Sequence, residues 1–135
     1  IYRERFKPGP NLHQPHTCLS LFAVCAETEE EAQRLASSRD LWYIRLLRGN
    51  PGPFPTPEEA RDYPYAQSER DLIAANRDKR AVGTPKQVRE KLEALAQEFG
   101  ANEIMLVSIV HDHEARLRSY ELLAREFDSQ LSRAA

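Results

Sequence analysis

Two uninterrupted apolar stretches restrict the possible folds more than any other feature of this sequence. Residues 17–26 read Thr-Cys-Leu-Ser-Leu-Phe-Ala-Val-Cys-Ala, and residues 103–110 read Glu-Ile-Met-Leu-Val-Ser-Ile-Val. Neither stretch alternates between polar and apolar residues, as a strand with one face in water does. Strands covered on both faces have such sequences and are typical of parallel sheets flanked by helices. We therefore expect both stretches to be buried parallel strands.

The sequence around these strands shows helical periodicity and residues that cap helices. Thr28, Thr56 and Thr84 each precede a periodic segment and have Glu or Gln three positions later, which is the capping-box pattern. Gly100 stands where a helix would end. The alternation of strands and helices predicts an α/β fold with parallel strands. We predict strands near 17–26, 80–83 and 103–110, and helices near 28–48, 57–63, 68–77, 85–99 and 113–127.

Charge and hydropathy argue against several classes of partner. The net charge is -2 and the sequence pI is about 6.1, so a basic field for nucleic acid or for an anionic membrane surface is not expected. The sequence contains no apolar run near the roughly 20 residues of a membrane helix. We expect a cytoplasmic protein. Cys18 and Cys25, seven positions apart in one strand, would point to opposite faces, so we expect two buried thiols and no disulfide.

Five segments together resemble the C-terminal region of the luciferase-like monooxygenase family, in particular the bacterial subgroup similar to alkanal monooxygenase. No single segment is diagnostic, but their order and spacing extend over nearly all of residues 1–127. The segments are 2–8, 26–32, 82–88, 100–104 and, above all, 111–124, which reads His-Asp-His-Glu-Ala-Arg-Leu-Arg-Ser-Tyr-Glu-Leu-Leu-Ala.

This resemblance implies a fold, a cofactor and an activity. Members of the family are TIM (β/α)8 barrels that use reduced flavin mononucleotide (FMN), or a deazaflavin in some branches, with O2 to oxidise aldehydes or other small organic substrates. A TIM barrel takes about 250 residues. We therefore expect residues 1–135 to be a single C-terminal portion of a partial TIM barrel, about the last three βα units, with residues missing before Ile1.

The same resemblance implies that the isolated chain is inactive. The family holds its flavin mainly with residues on the earlier strands, and this sequence contains no counterpart of them. We assign no flavin-binding residue and expect the isolated chain to bind no cofactor. In the intact enzyme the partners would be a small organic substrate, O2 and the rest of the barrel, or a second copy of the chain.

TIM-barrel chemistry occurs at the carboxyl ends of strands, so the end of the last strand is the first place to look for a site. A histidine there could donate a hydrogen bond, act as a general base or line the substrate entrance. In the alternative interpretation, the aspartate caps the next helix, while the histidines and arginines form a surface network. The candidates for the substrate rim are Ser108, His111, Asp112, His113, Arg116 and Arg118.

Two further groups of residues have the chemistry to bind a ligand. Gly83 and Thr84 precede a helix whose free amides could bind phosphate, although a simple helix cap explains them better. His111 and His113 form an H-x-H pair without a third ligand, so we expect no metal site.

Two alternatives to the enzyme remain open. Three parallel strands leave two unpaired sheet edges, which proteins normally pair or cover. The chain could therefore be a non-catalytic, oligomerising partial barrel. It could also be a small-ligand-binding module.

Overall fold

A computed structural model describes the backbone of residues 1–134 and the side chains of residues 1–128. Helices and strands follow one another along most of the chain. A single 3-10 turn (Arg77–Lys79) precedes the second strand. The elements are α1 (Tyr2–Arg5), β1 (Cys18–Cys25), α2 (Glu29–Leu47), α3 (Pro57–Asp62), α4 (Gln67–Asn76), β2 (Arg80–Gly83), α5 (Pro85–Phe99), β3 (Glu103–Val107) and α6 (His113–Ala134).

The three strands form one parallel sheet with β1 in the middle. Val24 of β1 lies opposite Val82 of β2, and Leu21 of β1 lies opposite Leu106 of β3. The predicted α/β class with parallel strands is confirmed. The order β2-β1-β3 differs from the chain order expected for three consecutive barrel units, because β3 pairs with β1 instead of β2.

Helices cover both faces of the sheet. Neighbouring residues of a strand point to opposite faces, so the two sets of buried β1 residues show which helix lies on which face. The clusters are Phe22, Val24, Ala26, Ala32, Leu35 and Ala36 on the α2 side, and Ala23, Cys25, Ala81, Val88, Leu92 and Leu123 on the side of α5 and α6.

The prediction that β3 is covered on both faces is wrong. Met105 and Val107 are 59% and 39% exposed, while Ile104 and Leu106 are half-buried against the side of α5 and α6. The reason is the position of α2, which packs chiefly against β2 and β1. The α2 side of β3 therefore presents apolar side chains to solvent.

The amino-terminal half of β1 is also less buried than its sequence indicates. Residues 22–26 are buried, whereas Cys18 and Ser20 are exposed because the helices cover only the carboxyl-terminal half of the strand. The prediction of a buried thiol is therefore wrong for Cys18. Both cysteines are free, and Cys25 is buried.

Local signals set most of the helix ends. The Glu31 amide donates to Thr28 Oγ1 at 3.2 Å, and Thr56 and Glu59 cap each other reciprocally at 3.0 and 2.8 Å. Gly100 adopts φ 58° after α5, a left-handed conformation that favours glycine. Two elements differ most from their predicted ranges: α6 continues to Ala134, past the predicted end at 127, and β3 stops at Val107.

A buried ion pair joins β2 to α2. The Arg80 and Asp40 side chains are 5% and 16% exposed. Arg80 donates from both terminal nitrogens to the Asp40 carboxylate, and the Nη2–Oδ2 distance is 3.1 Å. Such bidentate geometry compensates both charges where little water reaches them.

Candidate functional site

The strand order indicates a possible ligand site at the carboxyl ends of β1 and β3. The connection from β1 to β2 crosses one face of the sheet. The connection from β2 to β3 crosses the opposite face and places β3 on the other side of β1. In open α/β sheets, ligands bind outside the carboxyl ends of the strands where the order reverses in this way. That position lies between Glu27, which follows β1, and the segment that follows β3.

A cleft of about 290 Å³ lies at this position. Its walls come from the end of β1, the first turns of α2 and the first turns of α6. Its lining residues are Cys25, Ala26, Glu27, Glu31, Leu35, Glu114, Ala115 and Arg118.

An ion pair joins the two sides of the cleft. Arg118 Nε donates to Glu27 Oε1 at 2.7 Å, and Arg118 Nη1 donates to Glu121 Oε2 at 3.2 Å. The hydrogen bond from Arg118 lowers the pKa of Glu27, and the same bond raises the pKa of Arg118. Both side chains are about half exposed, so this pair links α6 to the end of β1 at the solvent side of the cleft.

The cleft carries more negative than positive charge. Glu27, Glu31 and Glu114 contribute carboxylates, and Arg118 is the one arginine among the lining residues. Glu31 also accepts two hydrogen bonds from Arg34, at 2.8 and 2.9 Å, and these lower the pKa of its carboxyl. This charge balance disfavours a phosphate.

The inner end of the cleft is apolar and chemically inert. Burial, followed by the charges of Glu27 and Glu126, raises the pKa of the Cys25 thiol to about 12, so the thiol stays protonated at neutral pH. The Cys25 amide donates to Ser119 Oγ at 2.8 Å. Sequence reasoning missed Ser119, although a serine within the apolar stripe of the last helix could have indicated a buried partner.

Ser108 was a candidate for the substrate rim, but the structure places it in the interior. Its side chain is buried, and its hydroxyl donates to the Ala23 carbonyl at 2.6 Å. Its amide donates to the Tyr120 hydroxyl at 3.3 Å. These contacts fasten the end of β3 to β1 and to α6.

The other candidates divide between a helix cap and the surface. Asp112 Oδ1 accepts the Ala115 amide at 2.6 Å and so caps α6. His113 Nδ1 lies 2.9 Å from an Arg116 terminal nitrogen, and both side chains are exposed. His111 is also exposed. Of the six rim candidates, Arg118 is the one that lines the cleft.

The amide considered for phosphate is already engaged. The Thr84 amide and hydroxyl both donate to Gln87 Oε1 at 2.9 Å, while Gln87 Nε2 donates to Glu29 at 2.8 Å. The buried Gly83 also sits against Gln87, because an added Cβ would lie 2.7 Å from Oε1. Gln87 thus caps α5 where a phosphate would have bound.

A larger cavity lies elsewhere. It measures about 420 Å³ and is lined mainly by apolar side chains of α5, β3 and α6, including Leu92, Ile104 and Phe127. It lies near the amino end of β3, opposite to the end where ligands of parallel sheets bind. We therefore assign the candidate site to the smaller cleft.

The described part of the chain contains neither a cluster of three potential metal ligands nor a helix suited to span a membrane. No three His, Cys, Asp or Glu side chains lie together in an arrangement for a metal ion. Within the same residues, no helix combines the length and the apolar character that crossing a membrane requires.

The fold and the cleft define an α/β protein with a parallel sheet and a site at the carboxyl ends of its strands. No family model matches the sequence. The chain is 41% identical over 127 residues to the uncharacterized protein YceB of Bacillus subtilis (strain 168), which covers 94% of this chain and 38% of YceB.

A relative with a functional name and a solved structure also match this chain. The Escherichia coli (strain K12) protein named luciferase-like monooxygenase is 31% identical over 122 residues, which are 90% of this chain and 36% of that protein. The crystal structure of apo-MsnO8 superposes with a TM-score of 0.83 at 37% identity, covering 94% of this chain and 39% of that one. The chain thus spans less than two fifths of the length of each of these relatives.

Proposed function

We propose that this chain is the C-terminal portion of a flavin-dependent, luciferase-like monooxygenase that oxidises an aldehyde or another small organic substrate with O2. The observation that carries this proposal is its 31% identity, over 90% of the chain, to the E. coli luciferase-like monooxygenase. We further propose that residues of a longer polypeptide complete a (β/α)8 barrel around this chain, in which the three strands would take consecutive places and α2 would leave the face that it covers here. The low coverage of every relative supports this view.

Exposed apolar side chains on β3 and just after it support the presence of further structure beside this strand in the longer protein. Met105, Val107 and Ile109 are 59%, 39% and 43% exposed. Exposed apolar side chains beside a free strand edge are normally covered by other structure. In the proposed enzyme, residues of the longer polypeptide would cover them.

The cleft beside Arg118 does not fit the flavin itself. Its volume of about 290 Å³ is at the lower limit for small-molecule sites, and its carboxylates would repel the flavin phosphate. The flavin would therefore be held by the rest of the enzyme, where it supplies the electrons for oxidation by O2. In this proposal, Leu35 and Ala115 contact the alkyl part of the substrate, and Arg118 is a positioning residue that keeps Glu27 at the cleft entrance.

The proposal is tested by oxygen consumption of the longer polypeptide. Purified protein is supplied with enzymatically reduced FMN and a series of short to long straight-chain aldehydes. We expect aldehyde-dependent O2 uptake and formation of the carboxylic acid. No acid product with any aldehyde of the series would contradict the aldehyde substrate, and no flavin-dependent oxidation of any compound would contradict the enzyme.

A pair of variants tests the role of the cleft in the same assay. Arg118→Gln removes the ion pair to Glu27, so we expect a higher KM for the aldehyde and a smaller change in kcat. Arg125→Gln is the matched control, because Arg125 lies on the same helix, is 71% exposed and is 3.9 Å from Glu121. Equal KM values for the two variants would contradict the positioning role of Arg118.

The apolar surface of β3 also favours a second candidate function, a non-catalytic partial barrel that oligomerises. Light scattering of the 135-residue chain at micromolar concentration separates the two. A stable dimer, together with no flavin-dependent activity of a longer polypeptide, would favour the oligomer over the enzyme.

A further inference from the structure

A further cavity, of about 360 Å³, lies between α2, α3 and α4. It is separate from the cleft at the carboxyl ends of β1 and β3, which is called the carboxyl-end cleft below. Polar and charged side chains line it from α2, from the segment between α3 and α4, from α4 and from the turn before β2. The lining residues used below are Ser37, Asp40, Tyr65, Arg70 and Arg77.

The two arginines of this cavity lack acidic partners. Among the described residues, neither Arg70 nor Arg77 forms an ion pair or a side-chain hydrogen bond. Both side chains are exposed, and the lack of an acidic partner distinguishes them from eight other arginines among the described residues. The arginines paired with carboxylates are Arg34, Arg45, Arg48, Arg61, Arg80, Arg89, Arg118 and Arg125.

The one carboxylate in the lining is already compensated. Both oxygens of Asp40 accept hydrogen bonds from the buried Arg80, which binds them in a bidentate manner. Arg39 adds a further half-buried positive charge nearby, and its pKa is lowered by burial and then by Arg80. Among the residues that line the cavity, Arg70 and Arg77 are therefore the charged side chains without a described ion-pair partner.

Tyr65 adds a hydrogen-bond donor to the two guanidinium groups. Its ring lies 5.9 Å from the Arg70 guanidinium carbon, measured to the ring centroid. Burial, followed by the charge of Asp40, raises the pKa of Tyr65 to about 12. The phenol is therefore protonated at neutral pH and is able to donate to an acceptor in the cavity.

We propose that this cavity is a binding site for an oxyanion, the phosphate or carboxylate group of a small ligand, held by Arg70 and Arg77 with the Tyr65 hydroxyl as a further donor. Guanidinium groups bind both oxyanions through paired hydrogen bonds. The proposal does not depend on the proposed function, because the site lies outside the carboxyl-end cleft.

The test is an NMR titration of the 135-residue chain with inorganic phosphate and, separately, with succinate. We expect saturable shifts of the guanidinium Nε–H signals of Arg70 and Arg77, and weaker binding as NaCl increases. Tighter binding of phosphate would identify a phosphate site, and tighter binding of succinate would identify a carboxylate site. Both results support an oxyanion site.

Variants separate this site from general attraction of anions. Arg77→Gln should weaken binding about tenfold, which corresponds to the loss of one charge-assisted hydrogen bond. Arg77→Lys keeps the charge and should retain part of the affinity, which also shows that the fold is intact. Arg61→Gln is the control, because Arg61 is 72% exposed on α3 and pairs with Asp62. Equal affinities for Arg77→Gln and Arg61→Gln, or shifts spread over all arginines, would overturn the proposal.

Discussion

The buried pair between Asp40 and Arg80 allows a sharp test of how this fold is held together. Asp40→Ala removes the carboxylate and leaves the Arg80 guanidinium, whose side chain is 5% exposed, without its partner. Breaking a buried ion pair by removing one member costs about 3–5 kcal/mol, mostly because the remaining charge stays desolvated. We expect a loss of that size in the free energy of unfolding.

Urea denaturation followed by circular dichroism measures this loss. For a chain of this length, the same loss corresponds to a decrease in Tm of roughly 10–20 °C. Asp62→Ala is the control, because it breaks the exposed pair with Arg61 and should cost at most about 1 kcal/mol. The double variant Asp40→Leu/Arg80→Met should recover most of the stability, since no unpaired charge remains. If Asp40→Ala cost no more than Asp62→Ala, the pair would not be buried as described.

Three further predictions concern the carboxyl-end cleft and the cysteines. Ser119→Ala leaves the buried Cys25 amide without its acceptor and should lower the free energy of unfolding by about 1–3 kcal/mol; an unchanged urea midpoint would contradict this bond. Cys18 should react with a maleimide in the folded chain, whereas Cys25, whose pKa is about 12, should react only after unfolding; mass spectrometry of the labelled peptides checks both. The carboxyl of Glu27 should titrate below its ordinary pKa of 4.5. Its stabilising contribution is therefore present above that pH and is lost as the pH falls through the lowered value. Carbon-detected NMR should show the titration midpoint of Glu27 rising toward 4.5 in Arg118→Ala, and an unchanged midpoint would refute the ion pair.

Local features of the structure follow closely from the sequence. The caps at Thr28 and Thr56 use side chains and amides three residues apart, so the spacing alone specifies the interaction. The glycine after α5 ends that helix through its own backbone conformation. The range predicted for this helix, 85–99, is the range observed.

Non-local features do not follow in the same way. Periodicity shows that β3 is apolar, but only its neighbours decide how much of it is buried, and α2 lies over β1 and β2. The pairing of β3 with β1 likewise depends on tertiary contacts, which no local sequence signal specifies. The unbroken apolar stretch 103–110 predicted two covered faces, and the structure shows one.

The candidate site was predictable in place but not in composition. The rule that ligands bind at the carboxyl ends of strands led to the segment after β3, and the structure brings Arg118 from that region into the cleft. Ser108 satisfies the same rule, yet its hydroxyl is bound to the Ala23 carbonyl. The partner of Arg118 is Glu27, which is 91 residues away in sequence, so spacing could not reveal this contact.

Anaerobic titration with reduced FMN tests the central proposal most directly. The 135-residue chain and the longer polypeptide are titrated in parallel, and bound flavin is followed by fluorescence and by equilibrium dialysis. We expect one flavin bound per longer polypeptide and no tight complex with the isolated chain. A tight stoichiometric complex with the isolated chain, or no binding by the longer polypeptide, would contradict the proposal.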